Sequence, residues 1–109
     1  MKRLIIICTV FLGFGRMAAQ ESVIDSLKKT LDKAEDTTKV EILTTLARMH
    51  ISIDLSQSVY YAEQALGIAR SMEDLSNESE ALILLGGIRY YQANYDKALE
   101  AWTQCVDVI

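Results

Sequence analysis

Residues 82–102 read LILLGGIRYYQANYDKALEAW, and this stretch decides the fold. Its apolar residues recur at the three- and four-residue spacing of amphipathic helices, with an interruption at Ala93–Asn94. Small residues stand at Gly86 in the first segment and at Ala98 in the second, where two helices could touch closely. The stretch therefore predicts two helices that are joined by a short turn and packed against each other.

The same helical spacing predicts three more helices on the N-terminal side of this pair. A leading helix covers residues 21–34, and Thr38 and Glu41 have the spacing of a capping box that begins the second helix. Polar residues at 52–56 can cap the third helix, and Ser76–Asn77 are expected to cap the fourth. The residues predicted to be buried are Val40, Leu43, Leu46, Ala47 and His50 in the second helix, Val59, Ala62, Ala65, Leu66 and Ala69 in the third, Leu82, Leu85, Gly86 and Ile88 in the fourth, and Tyr95, Ala98, Leu99, Trp102 and Cys105 in the fifth.

The last two predicted helices repeat the two before them with a period of roughly 40 residues, which is within the range of known helical repeats. The matched positions are Leu46–Ala47 with Leu85–Gly86, Ala62 with Trp102, and Ala65 with Cys105. Such a repeat is typical of a solenoid, in which each helix pair buries its apolar face on the next pair. The absence of proline and the presence of only five glycines also favour helices over β-hairpins. The predicted fold is an all-α solenoid of antiparallel helix pairs, with about two repeats after a short leading helix.

The N-terminal segment 1–19 has the order of a secretory signal peptide. Basic residues at 2–3 precede an apolar run over residues 4–14, and small residues follow up to Ala19, after which cleavage is expected. An uncleaved membrane anchor is the alternative, but the run is shorter than the roughly 20 apolar residues that span a bilayer. The chain is therefore expected to be exported to a periplasmic or other extracytoplasmic location.

The charge balance argues against nucleic acid as a partner. Cleavage after Ala19 takes away Lys2, Arg3 and Arg16, which leaves eight basic and 15 acidic residues and a formal net charge of −7. Phosphate backbones repel an acidic surface, and no basic stripe with interleaved aromatic residues occurs.

The stretch at 82–102 closely resembles a tetratricopeptide repeat. That family places a Leu-Gly pair in its first helix, a tyrosine at the start of the second, an alanine three residues later and an aromatic residue four beyond that. Leu85–Gly86, Tyr95, Ala98 and Trp102 fill those places. Packing between helices explains the pattern, because small residues sit at the contact and aromatic residues fill the gap to neighbouring helices.

The signal pattern, the helical spacing and the repeat resemblance together divide the chain into a signal peptide at 1–19, a leading amphipathic helix with a linker at 20–37, and tetratricopeptide-like repeats over 38–109. The first repeat, 38–75, is diverged, and the second, 76–109, is clear.

Two features depart from the family pattern. The proline that usually follows the second helix is absent, and the apolar residues Val106, Val108 and Ile109 stand where such arrays normally have a polar capping helix. Three or more repeats are usually needed for stability. The sequence is therefore expected to be the N-terminal part of a longer array or to associate with itself.

The resemblance implies a scaffold that binds an unknown protein or peptide in a concave groove lined by the first helix of each pair. The groove residues that it implies are Glu41, Thr44, Arg48, Ile83, Gly87 and Tyr90. The lysine and asparagine set with which chaperone-binding members hold a terminal carboxylate is missing, so a chaperone tail is not expected. The layout also looks like the exported sensor ends of bacterial signalling proteins of the Bacteroidetes type. The alternative function is thus the N-terminal sensor fragment of a larger membrane histidine kinase or transcriptional regulator.

No combination of residues predicts catalysis, a cofactor or a metal site. His50 is the only histidine and lacks partners at ligand or triad spacing, so it is expected to pack in a helix or to lie on the surface. Cys105 is the only thiol left after cleavage and is expected to be a small buried helix residue. Gly86–Gly87 lack the further glycines and the lysine of a phosphate loop. Four acids between the two pairs match no calcium loop, and a solvated turn is expected there. They are Glu73, Asp74, Glu78 and Glu80.

Overall fold

The computed structural model describes residues 20–108, so the predicted signal peptide and Ile109 lie outside the described residues. All regular secondary structure in that part of the chain is helical. The helices are α1 at 20–31, α2 at Asp36–His50, α3 at Leu55–Ser71, α4 at Leu75–Tyr91 and α5 at Tyr95–Val108. The prediction of an all-α fold is confirmed.

Successive helices pack side by side because the turns between them are short. The helix α3 lies between α2 and α4, α5 packs against α4, and α2 also touches α4. The turns after α3 and α4 have the same form, with a left-handed residue, Glu73 at φ 54° or Ala93 at φ 59°. In each turn the next amide donates a hydrogen bond back into the preceding helix, from Asp74 N to Ala69 O and from Asn94 N to Arg89 O, both at 2.9 Å. This repeated turn is a helix C-cap of the Schellman type, and it sets α3, α4 and α5 as repeating antiparallel neighbours.

One of the predicted N-caps is confirmed and two are wrong. The helix α3 is capped by Asp54, whose carboxylate accepts from Ser56 N at 2.9 Å. The helix α2 begins before the predicted capping box, with Glu35 as an N-cap that makes no side-chain bond. The helix α4 is capped by Asp74, which accepts from Asn77 N at 3.1 Å, so Asn77 lies inside the helix. Asp74 takes this role because it directly follows the left-handed turn residue.

The leading helix is shorter than predicted. It ends at residue 31, and two tight turn bonds follow, from Lys33 N to Thr30 O at 3.1 Å and from Ala34 N to Leu31 O at 3.3 Å. Ile24 anchors α1 in the core, where it is buried.

The core is formed by α2, α3 and α4, and every residue predicted to be buried in α2 and α3 is buried. A hydroxyl joins the first two of these helices, because Ser58 Oγ donates to Ala47 O at 2.5 Å inside the core. In α4, Leu82, Gly86 and Ile88 are buried, whereas Leu85 is only partly buried.

The prediction for α5 was wrong for its large residues. Ala98 and Cys105 are buried, but Tyr95 is 60% exposed, Leu99 65% and Trp102 39%. The reason is geometric, because α5 packs on α4 with one side and no other described helix covers its opposite side.

Candidate functional site

A shallow groove of about 130 Å³ runs between α2 and α4. We call it the α2–α4 groove. Its lining residues are Glu41, Thr44, Thr45 and Arg48 of α2 and Asn77 and Glu80 of α4. The first helices of the two predicted pairs thus lie next to each other and present one continuous polar surface.

The structure brings together the α2 half of the predicted site, but one of its members is not accessible. Glu41 and Arg48 are exposed, whereas Thr44 is 6% exposed and its hydroxyl donates to Val40 O at 2.7 Å. Thr44 therefore forms the wall of the groove and offers no free hydroxyl to a ligand.

The α4 half of the predicted site does not line the α2–α4 groove. Ile83 and Tyr90 are 55% and 54% exposed, and Tyr90 stacks instead toward α5, with its ring centroid 6.3 Å from that of Trp102. Gly87 is partly buried, with open space where a side chain would project. The α4 residues that do line the groove, Asn77 and Glu80, were missed.

The groove carries one ion pair and one further acid. Arg48 Nη2 lies 2.5 Å from Glu80 Oε1, and both side chains are about half exposed. Glu41 takes part in none of the ion pairs found within residues 20–108. Since an exposed pair contributes little to stability, these three charges are available to a ligand at small cost.

The other residues singled out from the sequence are used in packing and capping. His50 Nδ1 lies 2.7 Å from Leu46 O, and the buried imidazole stacks on Tyr61 at 5.1 Å between ring centroids. Cys105 is buried against Ser79 O at 3.6 Å.

The four acids between the helix pairs are spread apart rather than gathered into a site. Asp74 caps α4, Glu78 pairs with Arg70 at 3.1 Å, and Glu80 pairs with Arg48. Among residues 20–108, no group of three or more histidine, cysteine, aspartate or glutamate side chains could hold a metal ion. None of the helices described is long and apolar enough to cross a membrane.

A second cleft of about 210 Å³ lies on the other side of the molecule, among α3, α4 and α5. Its lining residues are Glu63, Leu82, Leu85, Arg89, Lys97, Glu100, Ala101 and Gln104. Its most buried charge is already neutralised, because Arg89 Nη2 lies 3.1 Å from Glu63 Oε1 and also donates through Nη1 to Gln92. The charge of Arg89 is therefore already satisfied within the chain.

Comparison with known proteins identifies no relative: no family model, no curated protein and no solved structure matches the chain.

Proposed function

We propose that this chain is an exported tetratricopeptide-like scaffold that binds an extended or helical segment of another protein in the α2–α4 groove. The observation that carries the proposal is the convergence of Glu41, Arg48 and Glu80 on one accessible surface between adjacent helices. Helix pairs that stack in this way commonly use the surface they form together for recognition. The proposed role is binding, and it gives the chain no catalytic residue.

The charges of the groove favour a partner segment that carries basic residues. Two carboxylates and one guanidinium line it, and the arginine is already paired with one of the carboxylates. A lysine or arginine from a partner would meet Glu41, which pairs with no cation among residues 20–108, and would share Glu80 with Arg48. Electrostatic complementarity of this kind sets specificity and association rate more than total affinity.

Site-specific photo-crosslinking in living cells tests the groove. A photoreactive residue at Thr45, which is exposed on the groove, is compared with one at Gln64, which is exposed on α3 outside it. We expect a discrete adduct at Thr45 that is absent at Gln64. Equal adducts at the two positions, or none at Thr45, would contradict the proposal.

Export is tested separately, by immunoblot of cell fractions with an antibody against residues 21–109. A periplasmic band near the mass of the chain cleaved after Ala19 would support a small adaptor. A much larger band in the membrane fraction would instead favour the sensor end of a signalling protein. A cytoplasmic band would contradict export.

A further inference from the structure

An apolar surface is exposed on the α4–α5 pair. We call it the outer face. Its residues are Ile83 and Tyr90 of α4 and Tyr95, Leu99, Trp102 and Val106 of α5, and their exposed fractions range from 39% to 71%. Contiguous apolar patches of this size on a protein surface usually mark an interaction site.

The first helix pair buries the positions that correspond to the outer face. At the repeat offset, Leu99 corresponds to Val59 and Val106 corresponds to Leu66. Leu99 and Val106 are 65% and 71% exposed, whereas Val59 and Leu66 are 8% and 7% exposed. The same positions of the repeat are thus covered in one pair and open in the next.

The cause is that α3 is covered on two sides and α5 on one. One side of α3 faces α2, where Ser58 forms a hydrogen bond with Ala47. Another side faces α4, where Arg70 pairs with Glu78 at 3.1 Å. Val59 and Leu66 of α3, which correspond to Leu99 and Val106, are buried in this arrangement. In α5, one side packs on α4, and the side that carries Leu99 and Val106 is left exposed.

A charged helix like α4 is a poor occupant for the outer face. The first pair holds α4 partly through ion pairs made by Arg48 and Glu63. At the repeat offset, their counterparts in the second pair are Gly87 and Thr103, which carry no charge. The outer face therefore lacks the counterparts of two of the three charged groups with which the first pair holds α4, the third being Arg70.

We propose that the outer face binds the outer face of a second copy of this chain across a two-fold axis. A surface of aromatic and aliphatic residues can pack on the same surface of a second copy, as such a symmetric interface requires. Three aromatic and three aliphatic side chains of this exposure present on the order of 700 Å², close to the roughly 800 Å² per partner of a standard interface.

Analytical ultracentrifugation of the purified chain cleaved after Ala19 tests the proposal. We expect a concentration-dependent monomer–dimer equilibrium, which Leu99→Glu weakens by more than about tenfold because it buries an unpaired charge. The matched control is Val23→Glu, which places the same charge on an apolar residue that is 47% exposed in α1, outside the α4–α5 pair. This control should dimerise like the unaltered chain.

Two further readouts separate loss of the interface from loss of the fold. Both variants should keep the helical circular dichroism of the parent, since both positions are exposed. Trp102, the only tryptophan, should shift its emission to longer wavelength when dilution separates the copies. A chain that stays monomeric, a dimer that survives Leu99→Glu, or a complex with a different protein only would overturn the proposal. The α2–α4 groove is tested separately, by the photo-adduct at Thr45 on α2.

Discussion

The indole of Trp102 occupies the space into which a side chain at Gly86 would project. A Cβ built at Gly86 would lie 2.7 Å from Trp102 Cε2, and still nearer to two other ring atoms. The ring also reaches along α4, where Nε1 donates to Ile83 O at 3.4 Å. The glycine in the first helix and the aromatic residue in the second are therefore one packing unit.

This unit predicts opposite effects for two neighbouring glycines. Gly86→Ala should lower the free energy of unfolding by about 1–3 kcal/mol, since the added methyl displaces the indole. Gly87→Ala should instead raise it by up to about 1 kcal/mol, because its Cβ meets nothing within 4 Å and alanine favours the helix. Urea denaturation followed by circular dichroism measures both. The packing account fails if the two substitutions change stability in the same direction.

The buried hydroxyl between α2 and α3 predicts that removing it lowers the free energy of unfolding. Ser58→Ala removes the bond to Ala47 O and should cost about 1 kcal/mol, the usual net value of one hydrogen bond. Ser56→Ala is the control, because Ser56 is exposed near the start of the same helix and only its backbone amide is bonded. An equal loss in both variants would show that the bond to Ala47 O is not responsible, because alanine favours the helix over serine at both positions.

The N-termini of α2 and α3 are capped differently, so an alanine substitution at each N-cap should have a different effect on stability. Asp54→Ala should destabilise the chain by about 1 kcal/mol, because the carboxylate accepts the free amides of Ser56 and Gln57. Glu35→Ala should have little effect, since the side chain of Glu35 makes no capping bond. Thermal unfolding of both variants measures the two effects. A large loss of stability in Glu35→Ala would contradict the described start of α2.

The repeated left-handed turns predict two stabilising substitutions. Glu73 and Ala93 both have positive φ, which costs a residue with a Cβ roughly 1 kcal/mol that glycine avoids. Glu73→Gly and Ala93→Gly should therefore each raise the melting temperature. Thr103→Gly, in the exposed middle of α5, should lower it by the ordinary cost of glycine in a helix. If all three variants were destabilised, the turn geometry would be wrong.

Most of the fold could be predicted from the sequence because the helical spacing of apolar residues is local information. The start of α2 could not, since Glu35 caps it without a side-chain bond and leaves no mark in the sequence. The exposure of Leu99 and Trp102 was also missed. Periodicity identifies an apolar stripe, but it does not say whether another helix covers it.

The candidate site was half predictable for a similar reason. The repeat pattern placed Glu41 and Arg48 on the groove, but it selected Ile83 and Tyr90 in α4 where the structure has Glu80. Which α4 residues line the groove depends on which part of α4 lies across from α2. That arrangement is set by packing in three dimensions, and spacing along the chain does not record it.

The central claim is that the charges of the α2–α4 groove recognise a partner, and one measurement tests it most directly. The yield of the Thr45 photo-adduct is compared in the Glu41→Lys variant and in Glu100→Lys, which makes the same charge change on exposed α5 outside the groove. We predict that Glu41→Lys lowers the yield several-fold while Glu100→Lys leaves it unchanged. Equal yields in the two variants would contradict recognition by the groove.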